Sequence, residues 1–256
     1  MNLFDASKAA WREMGKRKSS MIKSMVCDLL FLFTAGFVVS YLAQRVTHAL
    51  TILFGWMARN PDSQLQSAQM AWVYQLVFFQ IAIYVSIFIL YCAFIGIGWA
   101  LIKKADVDNF LEAFTKRHLV LLLPLIVMDS VRFYARYLSM DGKGLWYLDA
   151  LWYLLVGIIL LLSFSIGAKP DERKLISRLS VNNMLLLAVS ILGYLVITGL
   201  WTLTVSLPFP VQQVLAPVLL LPYLSYLRIF WIEAQRLDCQ SSIWSYHIYW
   251  RSSLPS

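Results

Sequence analysis

The alternation of apolar and polar positions divides the chain into long apolar runs separated by short charged segments. Apolar runs near the length that crosses roughly 30 Å of hydrocarbon, about twenty residues at about 1.5 Å each, recur at 25–42, 72–101, 118–137, 146–167, 181–206 and 211–231. They predict an all-α fold: a polytopic membrane helical bundle of six transmembrane helices, arranged as three hairpins with amphipathic inner-face segments. A transmembrane barrel would instead show segments of about ten residues alternating apolar and polar, and the runs do not alternate. The first run passes into an amphipathic stretch with Val46, Leu50, Leu53, Phe54 and Met57 on one side and Arg45, Thr47, His48 and Thr51 on the other, ended by Asn60-Pro61-Asp62. The second run is also longer than a bilayer requires. These two helices are expected either to project beyond the membrane as an antiparallel pair, or to tilt strongly or lie partly flat. In the second run Cys92, Gly96 and Ala100 form a small-residue stripe that lets another helix approach closely.

Three of the connecting segments share a design. Residues 1–24 hold Asp5 as a helix-starting acid, Phe4, Ala10, Trp11 and Met14 as an apolar face, and Lys8, Arg12, Lys16, Arg17, Lys18 and Lys23. In 103–117, Asp106 or Asp108 starts a helix whose apolar face is Val107, Phe110, Leu111 and Phe114. From Lys169, Pro170, Asp171 and Glu172 open a third such helix with Leu175, Ile176 and Leu179 on one face. Phe110, Leu111 and Phe114 fall opposite Leu175, Ile176 and Leu179, so the chain reads either as three repeated hairpin units or as the ordinary spacing of any six-span protein. Such repetition is parallel, unlike the inverted repeats of many secondary transporters, which weakens the case for a carrier. The organisation expected is a cytoplasmic basic amphipathic segment (1–24), a six-span transmembrane domain (25–236) and an aromatic-rich cytoplasmic tail (237–256) containing Trp244, Tyr246, Tyr249 and Trp250.

Composition agrees with the pattern: 60% of the 256 residues are hydrophobic and 14% charged, more apolar surface than a soluble domain can hide. The formal charge of +8 does not point to nucleic acid, because most of the 22 Lys and Arg lie in the short segments beside the spans. By the positive-inside rule those segments and both termini are cytoplasmic, which assigns the chain to the cell membrane with the lipid bilayer as its first partner. The first run is expected to stay in the mature protein, since it lacks the cleavage pattern of a signal peptide. The three cysteines, Cys27, Cys92 and Cys239, are scattered and read as small apolar residues.

Charge inside a span carries the most chemical information. In HLVLLLPLIVMDSVRFYARY, residues 118–137, Asp129 lies about 18 Å past the inner boundary, and Arg132 and Arg136 follow on the same side of the helix. A lone charge at helix centre is unfavourable by about 2.5–3.5 kcal/mol, so Asp129 and Arg132 must face protein or a wet cavity; Arg136 reaches the outer headgroups. One reading is an ion site or a counter-ion for an anionic solute. The other, favoured here, is a helix-joining pair extended by Asp149 at the outer start of the fourth span, with Tyr91, Tyr194 and Thr198 at similar depth. Asp28 is expected to reach the inner headgroups and pair with Lys23 or Lys18, and His48, His118 and His247 are read as interfacial. No HExxH, GxSxG, P-loop or GxGxxG occurs. The expectation is a non-enzymatic scaffold or complex subunit without cofactor or metal, whose inner amphipathic faces bind lipid or a membrane or cytoplasmic partner. The alternative is a small transporter or channel using Asp129 and Arg132.

Overall fold

The computed structural model describes residues 3–60, 67–138, 146–169, 181–203 and 218–237, which are almost entirely helical, with no strand among them. In chain order they form α1 (Leu3–Lys16), α2 (Lys18–Arg59), α3 (Ser67–Leu90), α4 (Gly96–Lys103), α5 (Val107–Leu138), α6 (Trp146–Ala168), α7 (Val181–Leu203) and α8 (218–237), with a π-helical turn, Tyr91–Ile95, joining α3 to α4. Three stretches, Lys18–Arg59, Met70–Lys103 and Tyr147–Ala168, are long and apolar enough to cross a membrane, and they coincide with the first, second and fourth expected spans. α5 contains the third run and continues through Pro124; α7 lies within the fifth run, and α8 begins inside the sixth and continues six residues beyond it.

α2 is one unbroken helix of 42 residues, about 63 Å long and so about twice the hydrocarbon thickness. Its distal half packs on α3 by the expected apolar side except for Phe54, which is exposed. Ala49, Leu53 and Leu76 form a small core of their own, with Val46, Leu50 and Met57 beside it, while Arg45, Thr47, His48 and Thr51 stay exposed. Asn60 ends the helix, its backbone and side-chain amides donating to the Trp56 carbonyl at 3.1 and 3.0 Å.

α4 ends at Lys104 in the left-handed conformation (φ 56°), which lets the Ala105 N–H bond the Ala100 carbonyl at 3.0 Å. The chain then turns sharply, and Asp106 caps α5: its carboxylate accepts the Asn109 backbone N–H at 3.3 Å. The main core lies where this turn folds α5 back onto α4, and it gathers Trp99, Ala100, Ile102, Phe110, Phe114, Ile166 and Trp231. The expected small-residue stripe and the expected amphipathic segment are each other's partners. A Cβ on Gly96 would stand 2.6 Å from Leu111 Cδ2 and 3.2 Å from Phe114 Cδ1. Phe110 and Phe114 are therefore core residues, 5% and 0% exposed, with Leu111 half-buried. They were expected to meet lipid or a partner, and are occupied inside the chain because the glycine groove accepts them. Leu175, Ile176, Leu179 and the aromatic tail lie outside the described residues.

α1 docks by its small side chains. Ala6 and Ala10 are fully buried, the Ser7 and Tyr226 hydroxyls share a hydrogen bond at 3.0 Å, and the Trp11 ring lies 5.5 Å from that of Tyr226. Phe4, Lys8, Trp11 and Arg12 face outward. Two of the inner basic residues serve as helix caps: Arg17 Nη1 donates to the Ile102 carbonyl near the end of α4 at 2.7 Å, and Lys103 Nζ to the Ala168 carbonyl at the end of α6 at 2.9 Å. Cations at helix C-termini satisfy carbonyls left without a partner in the helix and oppose the negative end of the dipole.

Candidate functional site

Among the described residues three layers of polar side chains each join different helices, named outer, middle and inner by the sidedness expected from the sequence; Ser190 with Trp231, Ser165 with Gln235, and the buried Ser225 and Glu233 lie apart from them. In the outer layer Arg132 of α5 donates through Nε to Asp149 of α6 at 2.5 Å, while its Nη1 stands 3.8 Å from Asp129. Asp129 accepts a hydrogen bond from Gln80 of α3 at 2.9 Å, and the Tyr84 hydroxyl, one turn further along α3, interacts with the same carboxylate. The three charged side chains keep 20–27% of their surface. Asp129, Arg132 and Asp149 are thus brought together, with Asp149 rather than Asp129 as the close partner of the guanidinium. The reason is rotameric: an i,i+3 neighbour on one helix cannot present its carboxylate in the guanidinium plane as squarely as one on a facing helix.

The middle layer holds Tyr91 at the start of the π turn, Ser163 of α6 and His118 of α5. His118 is buried, not interfacial as expected. Its Nδ1 lies 2.9 Å from the Phe114 carbonyl and its Nε2 2.9 Å from Ser163 Oγ. A carbonyl can only accept, so Nδ1 carries the proton; in the neutral ring Nε2 then accepts the Ser163 hydroxyl proton, and Ser163 accepts from the Tyr91 hydroxyl, its other partner. Tyr91 therefore belongs with His118 rather than beside Asp129. The His118 ring also stacks 4.0 Å from Phe114, with Tyr91 at 5.4 Å.

The inner layer was not foreseen. Asp28 of α2 pairs with Arg228 of α8, not with Lys23 or Lys18. Arg228 Nη1 donates to Asp28 Oδ2 at 2.8 Å and Nη2 to Oδ1, a bidentate pair whose side chains are 4% and 1% exposed. Ser24, one turn before Asp28, also accepts from Nη1, and the Trp99 ring lies 5.9 Å from the guanidinium carbon. Gly98 makes the room: a Cβ there would stand 2.9 Å from Arg228 Nη1. A planar guanidinium satisfies both carboxylate oxygens at once, which the point charge of a lysine ammonium does not. The spacing of Ser24 and Asp28, one turn apart in an apolar run, was the available signal.

Two cavities connect the layers. One, of about 190 Å³, is lined by Asp28, Arg228, Trp99, Tyr91 and Ser163; the other, of about 180 Å³, by Tyr91, Ser163, His118 and Tyr84. Their walls are otherwise mainly apolar, and Tyr91, Leu160 and Ser163 border both. The sequence matches no protein-family model, and comparison with curated proteins and with solved structures returned no match. Any functional reading therefore rests on these contacts. Among the described residues no group of three or more His, Cys, Asp or Glu could hold a metal ion, and the layers consist of hydrogen-bonded pairs and short chains.

Proposed function

We propose that the protein is a non-catalytic six-span membrane subunit, with both termini cytoplasmic, that holds its inner face against anionic lipid. One observation carries this reading: α1 is docked by one face and loaded for a membrane surface on the other. With Ala6, Ala10 and Ser7 turned inward, Phe4 and Trp11 are 74% and 62% exposed, and Lys8 and Arg12 follow them around the helix. An interfacial helix has this arrangement, rings at the acyl boundary and cations among the phosphates. Phe110 and Phe114, buried in the core, are unsuited to that work, so the inner contact falls to α1. The test is thermal unfolding in nanodiscs with and without phosphatidylglycerol. Anionic lipid that binds the folded state raises its Tm, and Lys8→Gln with Arg12→Gln should remove at least half of that increment. An unchanged increment would reject the assignment.

A second reading, a small transporter or channel, is favoured by the two cavities, which bring open volume against charged and titratable groups instead of sealing them in side-chain packing. A subunit can serve both roles.

A further inference from the structure

We propose that the three polar layers form a proton path across the bundle, with His118 as its central relay. The proposal rests on the second reading above and names its ion. On the helix formed by α3, the π turn and α4, Gln80, Tyr84, Tyr91 and Trp99 all contact layer partners or line the cavities. From Gln80 to Trp99 is about 28 Å at about 1.5 Å per residue, close to the thickness of the hydrocarbon core. The polar positions thus run from the Asp129–Arg132–Asp149 layer, through Tyr84, to Tyr91–Ser163–His118, and on to Asp28–Arg228. The gaps between layers are the two cavities. The first has polar groups of both its layers; the second has Tyr91, Ser163 and His118 at one end and Tyr84, which interacts with Asp129, at the other; both have apolar side walls, and at 180–190 Å³ each is large enough to admit several water molecules. The π turn begins at Tyr91 itself, and such turns recur where a helix departs from regularity for function.

The geometry selects a proton over a larger ion. The cavities meet at the Tyr91–Ser163 hydroxyl contact, which leaves no gap for a hydrated or bare metal ion but passes a proton by exchange. A water-borne proton from the Asp28 side attaches to the Tyr91 oxygen while the Tyr91 O–H proton moves to Ser163 Oγ. The Ser163 O–H proton moves to His118 Nε2, giving the imidazolium, which releases its Nε2 proton to water in the second cavity beside Tyr84. Each hydroxyl ends with one proton and rotates back, so the cycle balances in either direction. Nδ1–H stays on the Phe114 carbonyl, which holds the ring in place. The groups facing the relay are Tyr91 from the π turn, Ser163 from α6 and Phe114 from α5; the acids and bases at its ends are Asp28 with Arg228, and Asp129 with Arg132 and Asp149.

The experiment uses the full chain in proteoliposomes containing a pH-sensitive dye, with proton entry driven by a valinomycin-set potassium potential and sodium tracer uptake measured in parallel. Wild type should acidify the lumen faster than protein-free vesicles without sodium uptake. His118→Gln, which can still hydrogen-bond Ser163 but cannot titrate, should slow acidification at least tenfold. Tyr91→Phe, a separate cut in the same chain, should do likewise, and Lys116→Gln on the surface should change nothing. Should His118→Gln fail to fold, Tyr91→Phe decides. Wild-type flux in either folded variant would overturn the relay. Sodium uptake without proton flux would leave the transport reading standing and remove the proton, and neither flux would remove both.

Discussion

Among the described residues two clusters of charge tie one helix to another inside the bundle, and they solve the same problem in opposite ways. The Asp129–Arg132–Asp149 cluster keeps a fifth to a quarter of its side-chain surface open, carries one more acid than base, and draws most of its members from neighbours in sequence. The Asp28–Arg228 pair is neutral and bidentate, keeps almost none of its side-chain surface exposed, borders a single cavity, and joins residues 200 positions apart. An open cluster can lean on water or headgroups when a partner is lost. The buried bidentate pair has only one cavity at its side, so its members are worth little together and much apart: replacing both by apolar groups is commonly near neutral, while removing one leaves a charge poorly compensated.

This contrast sets the largest expected effect. Arg228→Met should destabilise the protein by about 3–5 kcal/mol, whereas Arg228→Met combined with Asp28→Leu should recover most of the loss, read as unfolding midpoints in detergent. If the double variant is no better than the single one, the pair contributes more than mutual neutralisation. Gly98→Ala probes the same site by volume alone, since its methyl would press on an Arg228 that is held at both ends. Overpacking of this kind costs about 1–3 kcal/mol, and the loss should shrink once Arg228 is already methionine. At the open cluster Asp149→Asn should cost only about 1 kcal/mol, with Asp129 taking over as the nearer partner of Arg132. A loss as large as that of Arg228→Met would erase the distinction between the two clusters.

The smallest effect concerns pH. Glu13 accepts hydrogen bonds from Lys16 at 2.9 Å and Arg17 at 3.0 Å, and these hold its carboxyl below the usual Glu range. A folded-state pKa below the unfolded one gives stability that is present above the ordinary Glu pKa and lost as pH falls through the lowered folded value. Amide exchange at the junction of α1 and α2 should therefore accelerate over that acidic interval, and Glu13→Gln should abolish the step.

The comparison also separates what could be read in the sequence from what could not. Asp129 and Arg132 announce themselves because their neighbours are apolar and they lie one turn apart, and depth along a single helix is enough to find them. Asp149 was reachable for the same reason, since a short outer connection brings the fourth run beside the third. Asp28 and Arg228 each lie near a basic segment, which offers an ordinary explanation for either one alone; only the folded chain sets them face to face. The burial of His118 was not legible either, because one helix alone does not show how far α6 carries Ser163 alongside it. The stripe of Cys92, Gly96 and Ala100 and the face of Phe110, Leu111 and Phe114 were both legible, but not their mutual fit, which depends on the reversal at Lys104. Basic residues were read for topology, and Arg17 and Lys103 also close the ends of other helices.

The separation of Asp28 from Arg228 has a consequence in time. At about 5–20 residues per second, the ribosome makes Arg228 roughly 10–40 s after Asp28, long enough for the first span to enter the bilayer without its counter-ion. Through that interval the Asp28 carboxylate lacks the guanidinium that later binds both of its oxygens. A chain truncated before Arg228 keeps the defect permanently. Arrival of the sixth run thus completes a charge pair that the first span has carried half-made through most of synthesis.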